Sequence, residues 1–326
     1  MGQLPKCWDK LTRSTTKARL YERETWFREG WYDTCCVSGR QLPKVLQCAA
    51  LLMIKPDGLT AGKAALIVDF LRTHGFKIAA AETPTLTRLH WREMWRYQMT
   101  MATLDRLAVN DLVLCGRALL LVLYHQGLSE VPATVHLSAL KGPSDVGRQQ
   151  PGCLRRLIAQ PNRLLSMFHV ADEPADLVRE LAILLDRPQR RAVLEAVVRG
   201  ESLSPSSLRR LTIAVRRSVR SPRSTEPSIA LGKLEAAIER ATSDQGHITA
   251  AHRQLILDLG RMRRGKTIAW LAFARAMEAA SIKMDTWDLA LLGAQFIAYD
   301  DAGATRLVNS VSPASWRTSQ VPSAGS

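Results

Sequence analysis

Apolar and polar positions alternate between two periods along this chain, and the switches mark its elements. Ala49-Ala50-Leu51-Leu52-Met53-Ile54 is a short continuous apolar run, read as a strand, and Lys55-Pro56-Asp57-Gly58 closes it with a turn. From Thr60 to about His74 the apolar positions Ala64, Ile67, Phe70 and Leu71 recur at helical spacing, with Gly75 as the stop. Phe76 to Ala81 reads as a second strand. A helix follows from Leu86 to Met99 and a shorter one from Thr103 to Leu112. Ala118 to Tyr124 is the most strand-like piece of the chain, long enough for the middle of a sheet. Pro132 to Leu140 predicts a brief helix and Lys141 to Gly152 a loop. A fourth strand then reaches His169, and a helix runs from Pro174 to Leu185.

Four strands separated by helices point to an α+β fold: a ferredoxin-like, four-stranded antiparallel sheet with helices on one face. After it the period is helical throughout, with segments at 190–199, 204–215, 229–241, 248–259, 267–280 and 286–299 and a linker at 221–227. The expected division is an N-terminal arm over 1–46, the sheet domain over 47–186, a basic α-helical domain over 187–302 and a disordered tail over 303–326. The arm shows no clean period, but Trp8, Trp26, Trp31 and Tyr32 suggest that it packs on something.

Composition narrows the class. Apolar residues make up 46% of 326, enough for a core, and no run of 18 apolar residues or secretory leader is present, so no membrane association and a cytoplasmic location are expected. The six cysteines include no CxxC pair and suit neither a disulfide framework nor a zinc site; no metal ligands are assigned. The net charge is +15, and between Leu185 and Lys283 there are 19 Lys and Arg against 9 Asp and Glu. Such a surplus attracts phosphate-rich partners.

The candidate chemistry centres on His169, at the junction between the last strand and the helix behind it. A carboxylate on one ring nitrogen fixes the tautomer and frees the other to attack phosphorus, and Glu180, two turns into the helix, is placed to be that carboxylate. Gly260 to Thr267 fits the GxxxxGK[ST] phosphate-loop pattern, but too little chain follows for the parallel sheet such a loop needs. It is read as a basic turn between helices.

Several spaced motifs between Cys48 and Leu185 together resemble the nucleoside diphosphate kinase family. MIKPDG resembles that family's IKPDG, and GFKI follows the first helix as its Gly-Phe pattern does. Tyr97 lies 19 residues before Gly116, GPSD and PGCLR fall at the family's spacing, FHVAD resembles IHGSD, and Glu180 lies 11 residues after the histidine. The resemblance implies an NTP-dependent phosphotransferase working through a phosphohistidine. In it His169 and Glu180 are catalytic, while Lys55, Tyr97, Ser144, Arg155 and Ser166 bind nucleotide or phosphate. It implies Mg2+ with ATP or another NTP as cofactor, and a nucleotide and a second phosphate acceptor as partners. Extensions on both sides of the domain suggest a dimer or monomer. The chain departs from the pattern at Ser138, where the family has a second arginine, at Ser166 in place of an asparagine, at Ala171 in place of a serine, and at Met101 to Arg106, which lacks the base-stacking phenylalanine. Altered base or acceptor specificity follows. The alternative is a catalytically inactive nucleotide-binding or interaction module whose basic helices bind nucleic acid or a protein partner.

Overall fold

The computed structural model describes residues 4–127, 130–216, 221–245 and 247–317. Its sheet is built from β1 (Ala49–Ile54), β2 (Phe76–Glu82), β3 (Leu119–His125) and β4 (Phe168–Val170), antiparallel throughout and ordered β2-β3-β1-β4. β1 is interior: Ala49 to Ile54 pair with Tyr124 to Leu119 on one side, and Leu52, Met53 and Ile54 pair with Val170, His169 and Phe168 on the other. This is the ferredoxin-like order expected from the sequence.

Both faces of the sheet are covered, not one. Ala50, Leu52 and Ile54 pack with Ile67 and Leu71 of one helix (Ala64–Thr73) and Val109 and Val113 of another (Leu104–Leu114). Ala49, Leu51 and Met53 pack with Leu177 and Leu181 of the helix Pro174–Leu184 and with Val193 and Val197 of the helix Arg187–Arg199. A sheet buried on both sides reads as a continuous apolar run instead of an alternation, which is what β1 and β3 show. The helix Arg187–Arg199, assigned from sequence to the following domain, closes the sheet domain itself.

The later helices, Pro205–Arg216, Pro227–Gln245, Ala250–Arg263, Trp270–Ala279 and Thr286–Phe296, share the first of these cores. Ala230, Leu234, Leu255, Phe273 and Leu291 belong to the same buried cluster as Ile67 and Val109. Asp105 accepts the Trp270 and Leu271 amides at 2.9 and 3.0 Å, capping a helix of this region with a side chain from the sheet domain. The turn expected over Gly260 to Thr267 is shorter than that: the helix Ala250–Arg263 runs through Gly260, and only the residues after Arg263, with Gly265 at φ 68°, connect it to the helix Trp270–Ala279. Among the described residues no helix is long and apolar enough to cross a membrane.

Residues before the sheet form helices that the sequence pattern hid: α1 (Thr15–Glu22) and α2 (Thr25–Ser38). The buried positions of α2 include Asp33, Thr34 and Ser38 beside Phe27 and Trp31, so its inner face has no apolar stripe to read. Asp33 is held by Arg187 at 3.0 Å and Arg190 at 2.6 Å. Gly30 lies so close to the Val178 carbonyl oxygen that any Cβ would overlap it, which lets α2 cross the helix Pro174–Leu184. The expected tail is also structured in part. Residues 303–317 lie against the fold, with Val308 and Trp316 buried, while 318–326 fall outside the described residues. Composition alone missed this because two buried apolar side chains suffice to hold a Ser- and Gly-rich stretch.

Candidate active site

His169 owes its position to a strained turn and to the segment that opens with Lys55. Met167 sits at φ 66°, rare for a side chain of its size, and the Phe168 amide donates to the Ser166 carbonyl at 2.7 Å across it. The Met167 amide donates to Asp57 Oδ2 at 2.9 Å, and its carbonyl accepts from the Lys55 amide at 3.0 Å. A Cβ on Gly58 would overlap the Met167 carbonyl oxygen, so the glycine of the IKPDG motif is a packing requirement. Asp57 and Gly58 thereby hold the strand that carries His169, a role that sequence reasoning did not give them.

His169 Nε2 lies 2.9 Å from both Glu180 oxygens. A carboxylate can only accept, so Nε2 carries the proton and Nδ1 keeps its lone pair. No group among the described residues hydrogen-bonds Nδ1. Trp95 meets the ring edge to face at 5.2 Å. The ring borders a cavity of 560 Å³.

Of the residues singled out in the sequence, Lys55, Ser144, Arg155 and Ser166 line this cavity with His169 and Glu180. Lys55 is buried, 3.4 Å from Asp57 Oδ2 and from the Leu164 carbonyl; burial lowers its pKa, and Asp57 offsets only part of that. Arg155 donates to the Gly142 carbonyl at 2.8 Å and makes no ion pair among the described residues; burial pushes its pKa down to about 10, and the charge of Asp172 offsets only part of that. A buried cation in this condition gains most from an arriving anion.

Tyr97 does not join them. It lies outside the cavity, 8% exposed, packed on Tyr21 at a centroid distance of 6.0 Å with the Arg179 guanidinium 5.5 Å above its ring. The helix expected to run to Met99 stops at Met94, and the irregular turn that follows directs Tyr97 to the arm and Trp95 to the histidine. Motif spacing fixed the distance along the chain but not the direction.

Several lining groups were missed. Lys141 and Ser138 both bind Asp172, Ser138 at 2.7 Å. Burial would raise the Asp172 carboxyl, but Lys141 and Ser138 hold it well below the usual carboxylate range. Lys141 thus restores, one helical turn on from Ser138, a cation where the sequence departs from the motif; the i,i+3 spacing was the available signal. Lys17 and Tyr21 of α1 also line the cavity. Lys17 pairs with Glu173 at 2.7 Å and Asp176 at 2.8 Å, and Tyr21 donates to Asp176 at 2.7 Å. Arg306 enters from the stretch expected to be tail, which carried no signal.

Residues 49–189 match the family model described as nucleoside diphosphate kinase. This stretch is a nucleoside diphosphate kinase-like domain in a longer chain. Among solved structures, an orthorhombic crystal form of the Aquifex aeolicus nucleoside diphosphate kinase is 19% identical, over 43% of this chain and 96% of that one, with a TM-score of 0.36. The halophilic nucleoside diphosphate kinase from Halobacterium salinarum, in complex with CDP, is 20% identical over 43% and 88%, at 0.35. A nucleoside diphosphate kinase family protein from Babesia bovis is 16% identical over 44% and 90%, at 0.36. A comparison with curated proteins finds no match. The kinase-like domain therefore takes up less than half of this chain, and α1 and the stretch around Arg306, both outside it, complete the wall of its cavity.

Proposed function

We propose that the protein is a phosphotransferase in which Nδ1 of His169 takes the terminal phosphoryl group of a nucleoside triphosphate and passes it to a second acceptor. One observation carries this reading: an imidazole whose Nε2 is held by Glu180, and whose Nδ1 has no hydrogen-bond partner among the described residues, lines a cavity together with a buried lysine and a half-buried arginine that makes no ion pair. Attack by Nδ1 leaves both ring nitrogens substituted, so the phosphorylated ring is cationic, and Glu180 at 2.9 Å balances that charge. Lys55, Arg155 and Lys141 neutralise the phosphoryl oxygens, and Ser144 and Ser166 offer hydroxyl donors.

The cavity carboxylates are already engaged: Asp172 by Lys141, Asp176 by Lys17 and Glu180 by His169. Among the described residues no three His, Cys, Asp or Glu side chains gather to hold a metal ion. A Mg2+ ion accordingly arrives on the nucleotide, held by its phosphate oxygens, as part of the substrate.

Incubation with γ-labelled ATP and Mg2+ tests this: the wild type acquires an acid-labile, alkali-stable label and His169→Ala acquires none. Equal labelling of both would overturn it. The rival reading, an inactive module gripping nucleic acid, draws on the basic helices. Several cations of this region are already paired, Arg223 of the linker with Asp285, and Lys233 and Arg263 of the helices with Asp288 and Glu235. A salt-sensitive RNA shift that survives His169→Ala would favour that rival.

A further inference from the structure

Three arginines on the cavity wall, Arg148, Arg155 and Arg306, make no ion pair among the described residues, although the charge of Asp172 is felt by Arg155. A further two, Arg106 and Arg163, share the single carboxylate of Asp300. Among the described residues the wall carries eight Lys or Arg side chains against the three carboxylates Asp172, Asp176 and Glu180. Its rings offer little for a nucleobase: Phe168 and Tyr21 are 1% and 3% exposed, and Trp95 is turned to His169.

Arg306 is delivered by a strap outside the kinase-like domain. The strap runs along residues 97–103: Thr103 Oγ1 donates to the Ala298 carbonyl at 2.7 Å, the Asp301 amide to Met101 at 2.8 Å, Thr100 Oγ1 to Thr305 at 3.0 Å and the Leu307 amide to Tyr97 at 3.1 Å. Val308, 2% exposed, anchors its far end among Leu11, Tyr21 and Phe27. Among the described residues the Arg306 guanidinium has the Met101 sulfur as its hydrogen-bond partner, 3.2 Å from its Nε. A cation held by its backbone and left without an oxygen partner is placed to bind an anion.

We propose that Arg306 is a phosphate-binding residue and that the phosphoryl donor is recognised through its phosphate chain rather than its base, so that a linear polyphosphate serves in place of a nucleoside triphosphate. The proposal rests on the phosphohistidine reading above for its chemistry. The Nδ1 lone pair forms the N–P bond to the terminal phosphorus of tripolyphosphate. The bridging P–O bond breaks with its electron pair going to pyrophosphate, and Nε2 keeps its proton toward Glu180. No other reactant is needed.

The test is titration calorimetry of the full-length His169→Gln protein with Mg2+ and either ATP or tripolyphosphate. The two dissociation constants are expected within about threefold of each other, and adding Arg306→Gln should weaken both by about tenfold or more, with Arg306→Lys recovering part. Tighter binding of ATP than of tripolyphosphate by about thirtyfold or more, or no change with Arg306→Gln, would overturn the proposal. The ligand comparison needs no Arg306 variant, so it stands if that variant fails to fold. Labelling of the wild type by each donor separates the two readings. Binding as expected without label from either donor removes the phosphohistidine step and leaves the phosphate subsite. Label from ATP with no binding of tripolyphosphate does the reverse.

Discussion

Asp57 Oδ2 accepts the Met167 amide at 2.9 Å and lies 3.4 Å from Lys55 Nζ, so one carboxylate supports both the turn before the nucleophile candidate and the lysine that faces it. Asp57→Ala strands a buried ammonium and a buried amide together. A loss of about 3 kcal/mol is expected in urea denaturation, with His169 labelling reduced beyond what unfolding explains. A change under about 0.5 kcal/mol would show that the clamp is dispensable.

Lys17 is the cation for two buried carboxylates, Glu173 and Asp176. Lys17→Met keeps the length of the side chain and removes the charge. It is expected to destabilise by roughly 3–5 kcal/mol in the same denaturation measurement. The double variant with Asp176→Asn should recover part of that, and strict additivity of the two changes would argue against direct coupling.

Two glycines inside helices should respond in opposite directions to the same substitution. Gly30→Ala drives a Cβ into the Val178 carbonyl and is expected to cost roughly 1–3 kcal/mol and to expose α1 and α2 to proteolysis. Gly232 has nothing within 4 Å of a built Cβ, so Gly232→Ala should raise stability by about 0.5–1 kcal/mol. Thermal melts of the pair decide this, and a shift of both in one direction would contradict the packing described here.

Asp172 gives a pH signature. Its folded pKa is depressed below the ordinary value of 3.8, so the unfolded chain takes up its proton first as pH falls. The stabilisation is fully present well above 3.8 and drains away as pH falls below that value toward the folded pKa. Melting temperatures between pH 7 and pH 3 should therefore fall more steeply for the wild type than for Asp172→Asn, and parallel profiles would exclude this contribution.

Much of the domain was legible because its signals are local. A six-residue apolar run closed by Lys-Pro-Asp-Gly gave β1 and its turn, and the spacing of His169 and Glu180 gave the pair now seen at 2.9 Å. The failures come from interactions across the chain. α2 buries Asp33 against arginines about 155 positions away, so its inner face reads as polar. Tyr97 kept its spacing but not its aim, because the helix before it ended early. Arg306 depends on a strap whose own share of the bonds to residues 97–103 is made by backbone groups, the Ala298 and Thr305 carbonyls and the Asp301 and Leu307 amides, and these leave no trace in a pattern of side chains.

Glu173 gathers donors from both flanks of the domain: Thr12 at 2.6 Å, the Arg13 amide at 2.8 Å and Lys17 at 2.7 Å from before it, and the Trp316 indole at 3.1 Å from after it. Cutting the chain back to residues 49–189 would strip that carboxylate of all four partners at the head of the helix that carries Glu180. The stretch that can be aligned is thus shorter than the stretch that completes its buried polar contacts, and an excised domain is expected to melt below the full chain.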